Sequence, residues 1–216
     1  MRILVISDTH GRLSRFWDVF EKIKKEFPPN AIVHCGDYCK DADNIRRRTG
    51  IPVFAVKGNC DGDFSDDGHM ILETEAGNFF ITHGHMLNVK YSLQTLYYKT
   101  LESGCTGAFF GHTHRKAYLN MDGIYLINPG SLSQPRDGSG GTFCIVETSE
   151  AGVWTKIYYY EDFMARRSGM GSVSEDKHPE NTVSAEENGG ERNDSRKKSR
   201  VTGGKLRDIF NYSDRF

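Results

Sequence analysis

Five times along this chain, an apolar run of strand length ends in a short loop of Asp, Asn or His residues with glycine in or beside it. Ile3 to Ile6 leads into Asp8-Thr9-His10, Ala31 to Val33 into Gly36-Asp37, and Val53 to Val56 into Gly58-Asn59-Cys60-Asp61. Phe79 to Ile81 leads into His83-Gly84-His85, and Ala108 to Phe110 into Gly111-His112-Thr113-His114. In α/β sheets, ligands collect at the carboxyl ends of strands, where loops turn over the sheet edge. Five polar loops at five strand ends can therefore converge on one point.

The intervening sequence fits that layout. Leu13, Phe16, Trp17, Phe20, Ile23 and Phe27 recur at spacings of three and four, the apolar face of a helix stopped by Pro28-Pro29. A second helix is expected from about Leu93 to Leu101, and a weaker one from Asp41 to Arg48. This βαβ opening favours parallel pairing. Later, Ala117 to Asn120 and Gly123 to Ile127 flank Met121-Asp122, and Thr142 to Glu147 and Val153 to Tyr159 flank a loop containing Gly152. Both read as antiparallel hairpins. A parallel sheet followed by hairpins predicts two sheets packed face to face with helices outside.

Composition divides the chain after Phe163. Residues 1–163 form the expected domain. From Met164 to Gly204 there is no Leu, Ile, Phe, Tyr or Trp. A segment so poor in apolar surface cannot offset its chain entropy, so the 164–216 tail reads as disordered. The tail holds 11 Lys/Arg and 9 Asp/Glu, a net of +2, against 17 and 20, a net of −3, for the rest. Its Arg196-Lys197-Lys198-Ser199-Arg200 run reads as a solvated charge cluster, and Leu206, Ile209 and Phe210 give it a short apolar end at helical spacing. That end makes the tail a candidate partner-binding segment. The overall formal charge of −1 carries no basic footprint for nucleic acid, which enters only as a candidate substrate. No apolar stretch approaches the roughly 20 residues that span a bilayer, and no secretory pattern is visible, so a cytoplasmic protein is expected. Five cysteines, an odd number without a Cys-x-x-Cys pair, read as reduced thiols.

Asp, His and Asn are oxygen and nitrogen ligands that suit Mn, Fe, Zn or Ni. A two-metal site needs one ligand shared between ions about 3.5–4 Å apart. Asp37 is the candidate bridge, because a carboxylate offers two oxygens and Gly36 lets its loop turn tightly. Asp8, His10 and His114 would complete one shell; Asn59, His83 and His112 would complete the other. On a strand His112 and His114 would share a face, whereas in a loop they can diverge toward different ions.

The five segments in this order resemble the calcineurin-like metallophosphoesterase superfamily. The short chain, Gly58-Asn59-Cys60-Asp61 and the Asn128-Pro129-Gly130-Ser131 loop are most similar to its small bacterial and archaeal phosphodiesterase branch. The resemblance covers roughly Met1 to Tyr160. It implies a four-layer α/β/β/α sandwich of two mixed β-sheets flanked by helices. It further implies a dinuclear site, Mn first with Ni, Zn and Fe compatible, and hydrolysis of a phosphodiester by a hydroxide bridging the ions. His112 and Asn59 would position the ester. The wider family places a His after Gly-Asn, where it can protonate the leaving alkoxide; here that place is Cys60. A thiol titrates near 8.5 and donates weakly, so diesters with activated leaving groups are expected over alkyl monoesters. The resemblance also implies self-association. It carries one alternative, a weakly active or non-catalytic scaffold like the retromer subunit of the same superfamily.

Other residues read more plainly. His34, on an apolar strand, is expected to be a satisfied core histidine. His85 is expected to support the ligands or touch substrate, Asp61 has an open supporting role, and Arg136 is a candidate for the substrate phosphate. His69 and His178 read as uninvolved. The Asp61 to Gly68 stretch fails as a calcium loop, since its sixth position is Asp66 and its twelfth Leu72. Cys105 and Cys144 read as core residues, and Gly138 to Gly141 as a flexible turn without the Lys of a phosphate-binding loop.

Overall fold

The structure, a computed structural model, describes residues 1–62 and 68–166. The expectations for Asp63 to Asp67, for His178 and for the tail beyond 166 lie outside the described residues. Among the described residues, ten strands form two five-stranded sheets. The first has the order β10-β9-β1-β2-β3 and the second β4-β5-β6-β8-β7. In the first, β1 (Arg2–Ile6), β2 (Ala31–His34) and β3 (Val53–Ala55) run parallel. The later hairpin of β9 (Thr142–Ser149) and β10 (Gly152–Tyr159) joins β1 antiparallel, with Ile3 opposite Val146. In the second sheet, β5 (Phe79–Thr82), β6 (Gly107–Phe109) and β8 (Ile124–Pro129) are parallel neighbours. Its edges are β4 (His69–Leu72) and β7 (Lys116–Met121), both antiparallel.

Period-two burial builds the layers. Ile3, Val5, Val33, Phe79, Ile81, Phe109, Ile127, Cys144 and Val146 fill the space between the sheets. The alternate residues Leu4, Ile6 and Ile32 face outward, under α1 (Ser14–Glu26), α2 (Cys39–Thr49) and α4 (Tyr160–Ala165). Phe80, Ala108 and Leu126 face the other way, under α3 (Gln94–Glu102). Because both faces of β1 are covered, its run is apolar without alternation. The result is the four-layer α/β/β/α sandwich of two mixed sheets that the family resemblance implied.

The expected helices and hairpins all form. Periodicity left open where the last hairpin goes: it joins β1 and makes the first sheet mixed, while β4 and β7 make the second mixed. Besides a single 3-10 turn at His85–Leu87, two elements were not anticipated. One is the edge strand β4, which follows the acidic loop. The other is α4, which continues two residues past Phe163, the point at which composition changes. Lys22 ties its end down by donating to the carbonyls of Phe163 and Arg166, both at 2.6 Å. The Gly138 to Gly141 turn is tied as well, since the Arg15 guanidinium donates to the carbonyls of Leu132 and Gly140.

Candidate metal centre

All five polar segments emerge from the C-terminal ends of β1, β2, β3, β5 and β6. Because the first three strands are parallel in one sheet and the last two in the other, their loops meet along one rim between the sheets. Asp8, His10, Asp37, His112 and His114 all adopt positive φ, from 47° to 67°. Side chains rarely sit there, and such strained residues gather at functional sites where their surroundings over-determine them.

The site has two halves that share Asp37. In the first, one ligand atom from each of Asp8, His10, Asp37 and His114 lies within 4.8 Å of all the others. His114 Nδ1–H donates to the Gln134 carbonyl at 2.7 Å, which leaves the Nε2 of the neutral ring as a lone pair. That lone pair faces Asp8 Oδ1 at 3.3 Å and His10 Nε2 at 3.2 Å. Asp37 Oδ2 lies 3.5 Å from His10 Nε2. In the second half, His83 Nδ1–H donates to the Cys35 carbonyl at 2.8 Å. Its Nε2 therefore faces Asn59 Oδ1 at 3.1 Å and Asp37 Oδ1 at 3.4 Å. His112 does diverge from His114. Its ring lies 5.0 Å from that of His83, while the His114 ring stacks on His10 at 5.0 Å.

Electrostatics follow from burial. Asp8 is fully buried and its Oδ1 has no hydrogen-bond partner, while Oδ2 accepts from Ser7 Oγ at 2.6 Å and His112 N–H at 3.1 Å. Burial pushes its carboxyl up to about 7, with the nearby Asp37 adding to the effect. Burial opposes ionisation of Asp37 too, but His83 and the Cys60 N–H hold it below the ordinary carboxylate range. Desolvation lowers His112 to about 3 and His114 to about 4, and lowers His83 as well, so these rings are neutral at pH 7. A proton on Asp8 relieves the crowding of acceptors in the metal-free state. Cations would relieve it in both halves.

Glycines make this density possible. A Cβ on Gly58 would overlap Asp37 Oδ1 and come within 2.5 Å of the Asp37 nitrogen. One on Gly111 would overlap Ser7 Oγ and come within 2.9 Å of Asp8 Oδ2. Both glycines belong to the loops that carry the candidate ligands, so the packing fixes their identity.

The remaining candidates take distinct places. Cys60 is exposed and its N–H donates to Asp37 Oδ1 at 3.0 Å. Loss of hydration and the Asp37 carboxylate push its thiol up to about 11. Asp61 braces loops, accepting from the backbone N–H of Cys39 at 2.7 Å and of Gly58 at 2.8 Å. The His85 ring lies 5.3 Å from His83 and 6.0 Å from His112. Arg136 donates its N–H to the His114 carbonyl at 3.0 Å, and its guanidinium lowers the Asp8 and His114 pKa values. Lys90 acts likewise on His112. His34 is fully buried and hydrogen-bonded, and His69 stacks on Phe80.

Several contributors were not singled out in the sequence. Ser131 Oγ and Ser133 Oγ both donate to the Asp8 carbonyl, at 2.9 and 3.0 Å. Asn128 Nδ2 donates to the Gly111 carbonyl and to Thr113 Oγ1 at 3.0 and 3.1 Å. Their only signal was the Asn128-Pro129-Gly130-Ser131 loop itself. Thr9, between two candidate ligands, and Asp41, in the first turn of α2, gave none.

Residues 1–151 match the calcineurin-like phosphoesterase superfamily domain. The chain belongs to that superfamily. It is 31% identical over 160 residues to the probable metallophosphoesterase YsnB of Bacillus subtilis, covering 73% of this chain and 90% of YsnB. It is 25% identical over 172 residues to the phosphodiesterase YfcE of Escherichia coli, covering 68% of this chain and 88% of YfcE. These relatives belong to the small bacterial and archaeal branch. A Vps29 single mutant from Entamoeba histolytica shares the fold, with a TM-score of 0.59 at 18% identity, over 74% of this chain and 99% of that one. Among the described residues, no helix is long and apolar enough to cross a membrane.

Proposed function

We propose that this phosphoesterase-family protein is a metal-dependent phosphodiesterase whose two divalent cations are held on either side of Asp37. The observation that carries the proposal is the pair of acceptor clusters sharing that carboxylate, each with an imidazole whose other nitrogen is already committed to a backbone carbonyl. Such outer partners fix the tautomer that a metal ligand needs. The buried, unpartnered Asp8 Oδ1 fits the same reading. Asp8, His10 and His114 would hold one ion, and Asn59, His83 and His112 the other. The donors are oxygen and nitrogen without thiolate, which suits Mn first and also Ni, Zn or Fe. Cations bound there supply Lewis acidity and a hydroxide at neutral pH.

The chain's own groups set the rest of the chemistry. Asn59, exposed at the rim, and the neutral His112 would orient the phosphoryl oxygens. Arg136 and Lys90, both exposed and on opposite halves, favour an anionic ester. The His85 ring borders the second half, 5.3 Å from His83 and 6.0 Å from His112. Cys60 keeps its proton at neutral pH, and a thiol is a weak donor, so it gives poor help to an alkoxide leaving group. Activated diesters are therefore the best substrates and alkyl monoesters poor ones. Relatives named as phosphodiesterases support a diester as the substrate class.

The test is an assay of metal-stripped protein, with and without Mn, on a chromogenic phosphodiester and its matching monoester. Mn-dependent diester cleavage that is lost in Asp37→Asn is the expected result. Folded protein inactive with Mn, Ni, Zn and Fe alike would overturn it and favour the scaffold reading, which the fold shared with Vps29 also accommodates.

A further inference from the structure

Two buried ionisable groups, His34 and Asp41, stand outside both ligand clusters, and Thr9 joins them. The Gly36 N–H donates to His34 Nδ1 at 3.3 Å, so the proton of the neutral ring is on Nε2. Burial lowers His34 to about 4, which keeps the ring neutral at pH 7. His34 Nε2–H then donates to Thr9 Oγ1 at 2.9 Å, and Thr9 O–H donates to Asp41 Oδ2 at 2.6 Å. The same Asp41 oxygen accepts the Gly11 N–H at 2.8 Å. Every donor in this chain has an acceptor, and only one direction of hydrogen bonding satisfies all of them.

The chain ties together the two loops that follow β1 and β2, around the shared carboxylate. Thr9 lies between Asp8 and His10, His34 leads into Gly36-Asp37, and Asp41 opens α2 just beyond. The Thr9 carbonyl is held as well, by Ser133 Oγ at 2.9 Å. Asp8, His10 and Asp37 all sit at positive φ, a geometry that persists only where neighbours enforce it. We propose that Thr9 is a positioning residue, whose hydroxyl between His34 and Asp41 fixes Asp8 and His10 against Asp37 in the arrangement that receives the cations. This rests on the metal-centre reading above.

The test titrates metal-free full-length protein with Mn by calorimetry and measures the urea unfolding of the same samples. Thr9→Val keeps the shape but can neither donate nor accept; Thr9→Ser keeps the hydroxyl. Thr9→Val should weaken Mn binding about tenfold or more, the scale of outer-partner losses at metal sites. Thr9→Ser should bind close to the unsubstituted protein. A purely structural role would lower the urea midpoint of Thr9→Val and leave its Mn affinity unchanged, and that result overturns the inference. If Thr9→Val does not fold, Asp41→Asn replaces it, with a several-fold loss of affinity expected and unchanged affinity again overturning it. No Mn binding by the unsubstituted protein would overturn the metal-centre reading and this inference together. Binding by unsubstituted protein and Thr9→Val alike overturns the inference alone.

Discussion

Single residues in this protein are set by what surrounds them more than by their own chemistry. Asp8 and Asp37 are both carboxylates in one site, yet burial drives the first up to about 7 while His83 and a backbone N–H keep the second ionised. Cys60 is the informative departure. Its backbone N–H supports Asp37, a role any residue but proline could fill, whereas its thiol stays protonated and donates poorly. Cys60→His would place a group titrating near 6.5 at the leaving-group side. Monoester turnover should then rise about 10²-fold, the lower end of general-acid contributions, while diester turnover changes much less. Steady-state kinetics on the matched ester pair check this, and equal ratios in both proteins would remove the leaving-group account. The candidate ligands stood out in the sequence because each lies in a short loop, with glycine in or beside it, at the end of an apolar run. Thr9 and Asp41 did not, since a Thr between two candidate ligands and an Asp in a helix's first turn look ordinary until the fold sets the Thr9 hydroxyl between His34 and Asp41.

At the scale of elements, periodicity named the strands and helices, but could not say where each would dock. The β9–β10 hairpin pairs locally whichever sheet it joins. Its place beside β1 follows from burial, since Cys144 and Val146 complete the space between the sheets while Phe143 and Ile145 complete the helix-covered side. The short helix α4 is held by the same face. Phe163 is 1% exposed and packs edge-on against Phe143, Tyr158 and Phe27. Phe163→Ala should cost about 3–5 kcal/mol, read as a lower urea midpoint with an unchanged slope. A loss under about 1 kcal/mol would mean that α4 contributes little to the domain's stability. The helix escaped the sequence reading because six residues at a compositional break carry too little periodicity to register.

For the whole molecule, the rim between the sheets concentrates neutral histidines. His34 and His114 fall to about 4, His112 to about 3, and His83 is lowered too. Depressed in the folded state, these groups take up protons more readily when the chain unfolds. Their contribution is fully present above the unfolded value near 6.5 and is lost as pH falls toward their folded values. Asp8 is raised and acts in the opposite sense, losing its contribution as pH rises through about 7. Several histidines outweigh one carboxyl, so urea unfolding of the metal-free protein should show stability falling from pH 7 to pH 5. A flat or rising profile over that window would contradict the buried, neutral assignment.

The sequence alone pointed to the family, the strand–loop alternation and the candidate ligands, because these rest on local facts: a hydrophobic period, a glycine, a donor at a strand end. The tertiary structure decided which oxygen of Asp37 faces which half, which nitrogen of each histidine is committed to a carbonyl, and which sheet the last hairpin completes. Those depend on contacts between residues far apart in the chain, such as His83 with Cys35 and Ser131 with Asp8, which arise only when two sheets pack and both inner faces must be buried at once.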